Sequence, residues 1–165
     1  MSTSTAAATK SPTAIEGFLR STLYLPDLQA RRKTSVLEEL VQPLVPAGVT
    51  RHPAAILDLL AQREALGSTA IGKGIAVPHA RSALIAERAV LVARSVRGID
   101  FDAPDGRAVQ LFFLIVAPSA GQDPIYLNLL ADIVRAVRLT KVRQRLLEAP
   151  DFSAVQEALY HAAAE

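Results

Sequence analysis

Val109–Ala117 reads Val-Gln-Leu-Phe-Phe-Leu-Ile-Val-Ala, a run in which only Gln110 is polar. A strand with one wetted face alternates apolar and polar residues. A near-continuous apolar run bounded by turn signals instead predicts a central strand buried on both faces. Upstream, Ala89–Val96 is also strand-like, and the intervening Gly98–Arg107 holds Pro104-Asp105-Gly106. Proline presets the first turn dihedral and glycine tolerates the positive one, so the two strands are predicted to pair as an antiparallel hairpin. Ile75–Val77 and Leu23–Leu25 supply two further short strands, the latter at an edge.

Helical spacing surrounds these strands. Ser11 or Thr13 caps a short predicted helix over Ala14–Ser21. Ser35–Glu38 matches a capping box, followed by Val36, Leu37, Leu40, Val41 and Leu44 at helical spacing. Pro43 and Pro46 end or kink that helix, and Gly48 terminates it. A second begins near Thr50 and Pro53, buries Ile56, Leu57, Leu59, Leu60 and Leu66, and stops at Gly67. Arg63 then falls in its last turn, within reach of His79. Asp123-Pro124 opens a helix to about Val137. Lys141–Ala149 forms another, and a second capping-box variant, Ser153–Gln156, starts a last helix to about Ala163. Helices before, between and after strands indicate an α/β layered domain over residues 14–165, with residues 1–13 a flexible tail.

Composition narrows the function. The chain has 165 residues, enough for one substantial core, and half of them are apolar. Having no cysteine, it cannot use thiolate catalysis, disulfides or a Cys-ligated zinc, which fits a cytoplasmic setting. Basic residues cluster at Arg31-Arg32-Lys33 and Arg135–Arg145, but carboxylates interleave them and the net charge is +2, so no nucleic-acid partner is expected. No run is long enough to span a membrane, and direct membrane insertion is not expected.

The residues that point to chemistry are Gly67–Arg81, Gly-Ser-Thr-Ala-Ile-Gly-Lys-Gly-Ile-Ala-Val-Pro-His-Ala-Arg. Pro78 fixes the backbone ahead of His79, and a strand that stops there places His79 at the sheet edge. Glycines leave amides free to face an anion, and Arg81 adds a guanidinium two residues on. An imidazole in such company suggests phosphoryl chemistry. Gly67–Lys73 imitates a nucleotide P-loop, but Gly74 replaces the Ser/Thr that binds magnesium, and the order is helix then strand rather than the reverse. Asp100, Asp102 and Asp105 lack the spacing of a calcium loop, and His52 and His161 read as surface residues. No metal site is expected.

The stretch Arg63–Arg81 carries in full the signature R-E-x-L-G-S-T-x-I-G-x-G-I-A-V-P-H-A-R, and so resembles the type 2 (fructose/mannitol) IIA components of the phosphoenolpyruvate-dependent sugar phosphotransferase system. This class includes the nitrogen-regulatory IIA proteins. The likeness extends more weakly from Leu23 to Leu159, including Phe101–Pro104 and Val142–Glu148. It implies a mixed, roughly five-stranded sheet flanked by helices on both sides. It also implies that His79 accepts a phosphoryl group from a histidine-phosphorylated carrier protein and passes it to a IIB cysteine, with no cofactor. Arg63 matches the family's active-site arginine. Tyr126, in Tyr126-Leu127-Asn128-Leu129-Leu130, stands where similar proteins have a second histidine; a phenol donates a hydrogen bond but, with a pKa of about 10, is not cationic. Ser68 and Thr69 support the loop or bond phosphoryl oxygens, Arg81 contacts phosphate or a docked partner, and Ile71 and Ile125 are either rim or core. The other reading is a nitrogen-regulatory protein whose phosphorylation state switches a regulatory target. The lack of a IIB or membrane segment and the phenol at Tyr126 point that way.

Overall fold

The computed structural model describes residues 22–164, so the helix read over Ala14–Ser21 and the tail over 1–13 lie outside the described residues. Along the chain run β1 (Leu23–Leu25), α1 (Lys33–Val41), a 3-10 turn (Gln42–Leu44), α2 (Pro53–Leu66) and β2 (Ala70–Gly72). They are followed by β3 (Ile75–Ala76), β4 (His79–Arg81), β5 (Ala89–Ile99) and β6 (Val109–Ala117). Last come α3 (Pro124–Val137), α4 (Thr140–Glu148) and α5 (Phe152–Ala164).

One mixed sheet has the order β1-β5-β6-β3-β2, with β4 also on β6. β6 is central: β5 runs antiparallel on one side, and β3 and β4 run parallel on the other. Alternate β6 side chains face opposite layers. Phe112, Leu114 and Val116 pack with Val36, Leu40, Ile56 and Leu60 of α1 and α2. Leu111, Phe113 and Ile115 pack with Leu129, Ile133, Leu146 and Leu159 of α3 to α5. Helices on both faces explain why this strand reads as continuously apolar.

Six strand segments occupy five positions across the sheet. Ile75 sits opposite Leu111, Ala76 opposite Phe112, His79 opposite Ile115 and Arg81 opposite Ala117, one unbroken register. β3 and β4 are therefore one strand interrupted where Pro78 lacks an N–H, and the ladder still uses its carbonyl, which accepts from Ile115 N at 3.0 Å.

Several local readings change. α1 begins at Lys33 with Arg32 as its cap residue and no side-chain cap, so Ser35 lies inside the first turn and the expected capping box does not form. α5 is capped by Asp151, whose Oδ1 accepts from Ala154 N at 2.9 Å, rather than by Ser153. Leu66, expected in the core, is 86% exposed because it follows the last turn that α2 packs. The strand does not stop at Pro78. Gly67–Lys73, expected as open loop, contains β2, joined to β3 by a tight turn whose central residues Lys73 and Gly74 both have positive φ (57° and 76°). That combination matches the right-handed twist of a two-residue hairpin.

Candidate functional site

Side chains alternate along a strand, so the unbroken register fixes the side on which His79 projects. Ile75 and Val77 pack in the layer of α3 to α5, and His79 and Arg81 share their parity. His79 is partly exposed, and its ring centroid lies 6.5 Å from that of Tyr126 on α3. Its Nδ1 is 2.8 Å from the Val77 carbonyl oxygen. A carbonyl can only accept, so Nδ1 carries the hydrogen and the Nε2 lone pair is left unprotonated in the neutral ring. The sequence order Val-Pro-His produces this. Proline biases the preceding residue to extended backbone, and the Val77 carbonyl then turns toward the ring two residues on.

Arg81 is held beside this ring. Its Nε donates to Pro118 O at 3.3 Å, its Nη2 to Gly121 O at 3.0 Å, and its guanidinium lies 5.6 Å from the Tyr126 ring centroid. Tyr126 is 5% exposed. Burial pushes its phenol up to about 12; the Arg81 charge opposes that shift and Asp123 adds to it. The phenol is thus a neutral donor at any ordinary pH. Asp123 caps α3, its Oδ1 accepting from Tyr126 N at 3.1 Å, and thereby sets where the ring enters the site.

The glycine-rich loop is pinned from behind. Glu64, 8% exposed at the end of α2, accepts from the Thr69 backbone N–H at 3.1 Å and from the Thr69 hydroxyl. Lys33 Nζ pairs with the same carboxylate at 3.0 Å and with exposed Asp102 at 3.2 Å, and covers the Phe101 ring at 4.7 Å. Burial draws the Lys33 ammonium downward, but the hydrogen bonds and charges of Glu64 and Asp102 outweigh it and leave it above its ordinary value. Ser68 donates to Phe101 O and accepts from Ala70 N. Both hydroxyls thus serve the loop. On the turn of the hairpin, Lys73 N donates to Asp105 Oδ2 at 2.8 Å.

Not every expected member converges. Arg63 Nη1 donates to Gly67 O at 2.8 Å, a bond that closes the C-terminus of α2 and is not directed at His79. Ile71 and Ile125 are surface residues, 42% and 44% exposed. Glu64, which lies next to Arg63 in the signature, had no role assigned from sequence. Its placement between an ammonium and a threonine appears only in three dimensions. Asp100 and Asp102 stay in the solvated turn, and among the described residues no cluster of three or more potential metal ligands is found.

Fold and site together define an open mixed α/β domain that presents one histidine with a fixed tautomer beside a guanidinium and a buried phenol. The chain belongs to the family described as phosphoenolpyruvate-dependent sugar phosphotransferase system, EIIA 2, whose family model matches residues 18–162. It is 38% identical over 127 residues to a fructose-specific EIIA component of Haloferax volcanii, covering 77% of this chain and 82% of that protein. It is 37% identical over 137 residues to a nitrogen regulatory protein of Bradyrhizobium diazoefficiens, covering 82% and 87%. Among solved structures, the nitrogen regulatory protein IIA-Ntr of Neisseria meningitidis superposes with a TM-score of 0.75 at 28% identity, over 86% of this chain and 94% of that one.

Proposed function

We propose that this protein is a phosphohistidine carrier with His79 as the acceptor. The Nε2 lone pair attacks the phosphorus of a phosphohistidine on a carrier protein. The donor's P–N bond breaks, its electron pair returns to the donor imidazole, and a new P–N bond forms at Nε2. The phosphoryl group then leaves His79 for the sulfur of a cysteine thiolate on a IIB domain, and the P–N electrons return to the ring. Transfer of this kind asks the protein chiefly for positioning and charge stabilisation, and with two protein side chains as donor and acceptor it calls for no cofactor. The observation that carries the reading is the 2.8 Å Nδ1–Val77 contact, because it leaves Nε2 as the nucleophile and holds the proton on the other nitrogen.

Arg81, on the same strand face as His79, supplies a cation for the phosphoryl charge, and Tyr126 a neutral donor toward its oxygens. Arg63 would serve as a charge clamp by exchanging Gly67 O for the phosphoryl group. Ser68 and Thr69 keep the loop in shape. Such a domain works in the cytoplasm, where its donor is made.

The test is incubation with phosphoenolpyruvate and the two upstream phosphotransferase proteins. An acid-labile phosphate should form on wild type and be missing from His79→Ala. Label on that variant, or no label on wild type, defeats the assignment. A regulatory reading is favoured by one observation: the side chain packed beside His79 is a phenol and not a second imidazole. In that case the phosphorylated protein is discharged slowly or not at all by a purified IIB partner, and the added charge beside a docking surface switches a regulatory target.

A further inference from the structure

A chain of contacts links the buried ion pair behind the loop to the reacting ring. The Glu64 carboxylate holds Thr69 through its N–H and hydroxyl. The Thr69 carbonyl accepts from Val77 N at 3.0 Å. The Val77 carbonyl in turn accepts from His79 Nδ1 at 2.8 Å. Glu64, Thr69 and Val77 are buried, at 8%, 5% and 3% exposure, so water does not replace these bonds cheaply.

We infer that Glu64 is a positioning residue for His79, fixing its Nδ1–H tautomer and ring direction through Thr69 and Val77. The path is mechanical. Glu64 sits on the α2 side of the sheet and His79 projects to the α3 side, so the influence passes through the sheet's edge, from Thr69 just ahead of β2 across to Val77 and into the Val77-Pro78 junction. Pro78 gives that junction its sensitivity. With no N–H at residue 78, the segment from Ala76 to His79 is anchored on this side by the Val77 N–H to Thr69 O bond. If Thr69 swings, the Val77 carbonyl rotates, and Nδ1 loses the acceptor that keeps Nε2 unprotonated. Lys33 has a supporting part: its ammonium orients the carboxylate at 3.0 Å, while Asp102, the other partner of Lys33, makes no hydrogen bond to Thr69 or His79.

The rate consequence rests on His79 being the phosphoryl acceptor; the tautomer consequence does not. The measurement is the pair of imidazole nitrogen shifts of ¹⁵N-labelled protein, together with single-turnover phosphotransfer. Two variants remove the ion pair together, so that neither leaves an ammonium facing an uncharged partner. Lys33→Met/Glu64→Leu removes the acceptor for Thr69, and Lys33→Met/Glu64→Gln keeps a carboxamide oxygen there. The Leu variant should show His79 as a mixture of tautomers and transfer about tenfold more slowly, the scale on which small misplacements of a reacting group act. The Gln variant should keep the Nδ1–H tautomer and a rate within about threefold of wild type. Asp102→Asn should change neither. If the Leu variant does not fold, Thr69→Val, which deletes only the hydroxyl held by Glu64, carries the same two readouts. An unaltered tautomer and rate in the Leu variant (or in Thr69→Val, if that replaces it) overturns the inference, and so does an equal loss in the Gln variant. A tautomer shift in a protein whose wild type takes no phosphoryl group sustains the positioning role and removes the carrier reading alone.

Discussion

Tyr126→Phe isolates one hydroxyl. The ring is buried among Val77, Ile115 and Leu129 and lies beside Arg81, so phenylalanine keeps the packing and the face presented to the guanidinium. Among the described residues the Tyr126 hydroxyl makes no hydrogen bond, so no existing partner has to be given up when a phosphoryl group arrives on Nε2, 6.5 Å away between ring centroids. A hydrogen bond to a charged acceptor contributes about 1.5–3 kcal/mol. If it forms with the phosphoryl oxygens, removing it costs about tenfold to a hundredfold, at roughly 1.4 kcal/mol per decade. The assay is rapid-quench transfer from the phosphorylated carrier protein, together with the hydrolysis half-life of phosphorylated His79. Both should fall in Tyr126→Phe. Because the phenol is held at about 12, the wild-type contribution should be flat across neutral pH. Tyr126→His, by contrast, should introduce a titration near an ordinary histidine pKa of about 6.5. A Tyr126→Phe protein that transfers and hydrolyses within twofold of wild type refutes the donor role and leaves Tyr126 as a packing residue.

Three further outcomes concern stability. The Tyr126 pKa of about 12 in the folded state exceeds the unfolded value of about 10. The folded state therefore retains a proton that the unfolded chain releases, and up to about 2–3 kcal/mol is lost as pH rises from 10 toward 12. Lys33, also raised, acts in the same direction. Denaturant midpoints at pH 9 and 11.5 should converge in Tyr126→Phe relative to wild type; an undiminished alkaline drop would exclude burial of this phenol as a cause. Arg94 donates to Pro26 O, Leu147 O and Ala149 O at 3.1, 3.0 and 2.8 Å, tying β5 to the end of α4, so Arg94→Met should cost about 2–3 kcal/mol in chemical unfolding. Phe112→Ala and Phe113→Ala should each cost about 3–5 kcal/mol and act on opposite layers. Their amide-exchange footprints should accordingly divide between α1–α2 and α3–α5.

Much of the architecture could be read from pattern because burial wrote it. A strand covered on both faces must be apolar throughout, so β6 was legible from one run, as was its hairpin with β5 from Pro104-Asp105-Gly106. Helix caps were less legible. A Ser-x-x-Glu pattern is necessary for a capping box but not sufficient, and at Ser35 the chain had already become helical two residues earlier. The tight β2–β3 turn was hidden by its length, since three- and two-residue strands have no periodicity to detect. At the site, His79, Arg81 and Tyr126 were each singled out in sequence, and the structure brings all three together. The relay behind them was not legible, because the Thr69–Val77 link is made by backbone groups that carry no sequence signal, and the Glu64 carboxylate meets Thr69 only once α2 ends and the chain turns.

The two arginines of the signature now divide by position. Arg63 closes its own helix, donating to Gly67 O, and belongs to the α2 layer; Arg81 shares the strand face of His79 and is fixed by two carbonyls. A guanidinium satisfied by carbonyls still carries its full charge, so on the carrier reading proposed above Arg81 would act on a phosphoryl anion at His79 without giving up either bond. Arg63 would have to exchange a helix-closing bond for a phosphoryl oxygen. The bond to Gly67 O is already charge-assisted through the guanidinium, so the exchange would gain only what a charged phosphoryl oxygen adds over a neutral carbonyl as acceptor. On the proposed carrier reading, such an exchange would give the phosphorylated form a different C-terminal end of α2, where Leu66 is 86% exposed. A partner docking on that rim would meet a different surface before and after transfer, which serves a carrier that must leave its donor and engage its acceptor as well as it serves a regulatory switch.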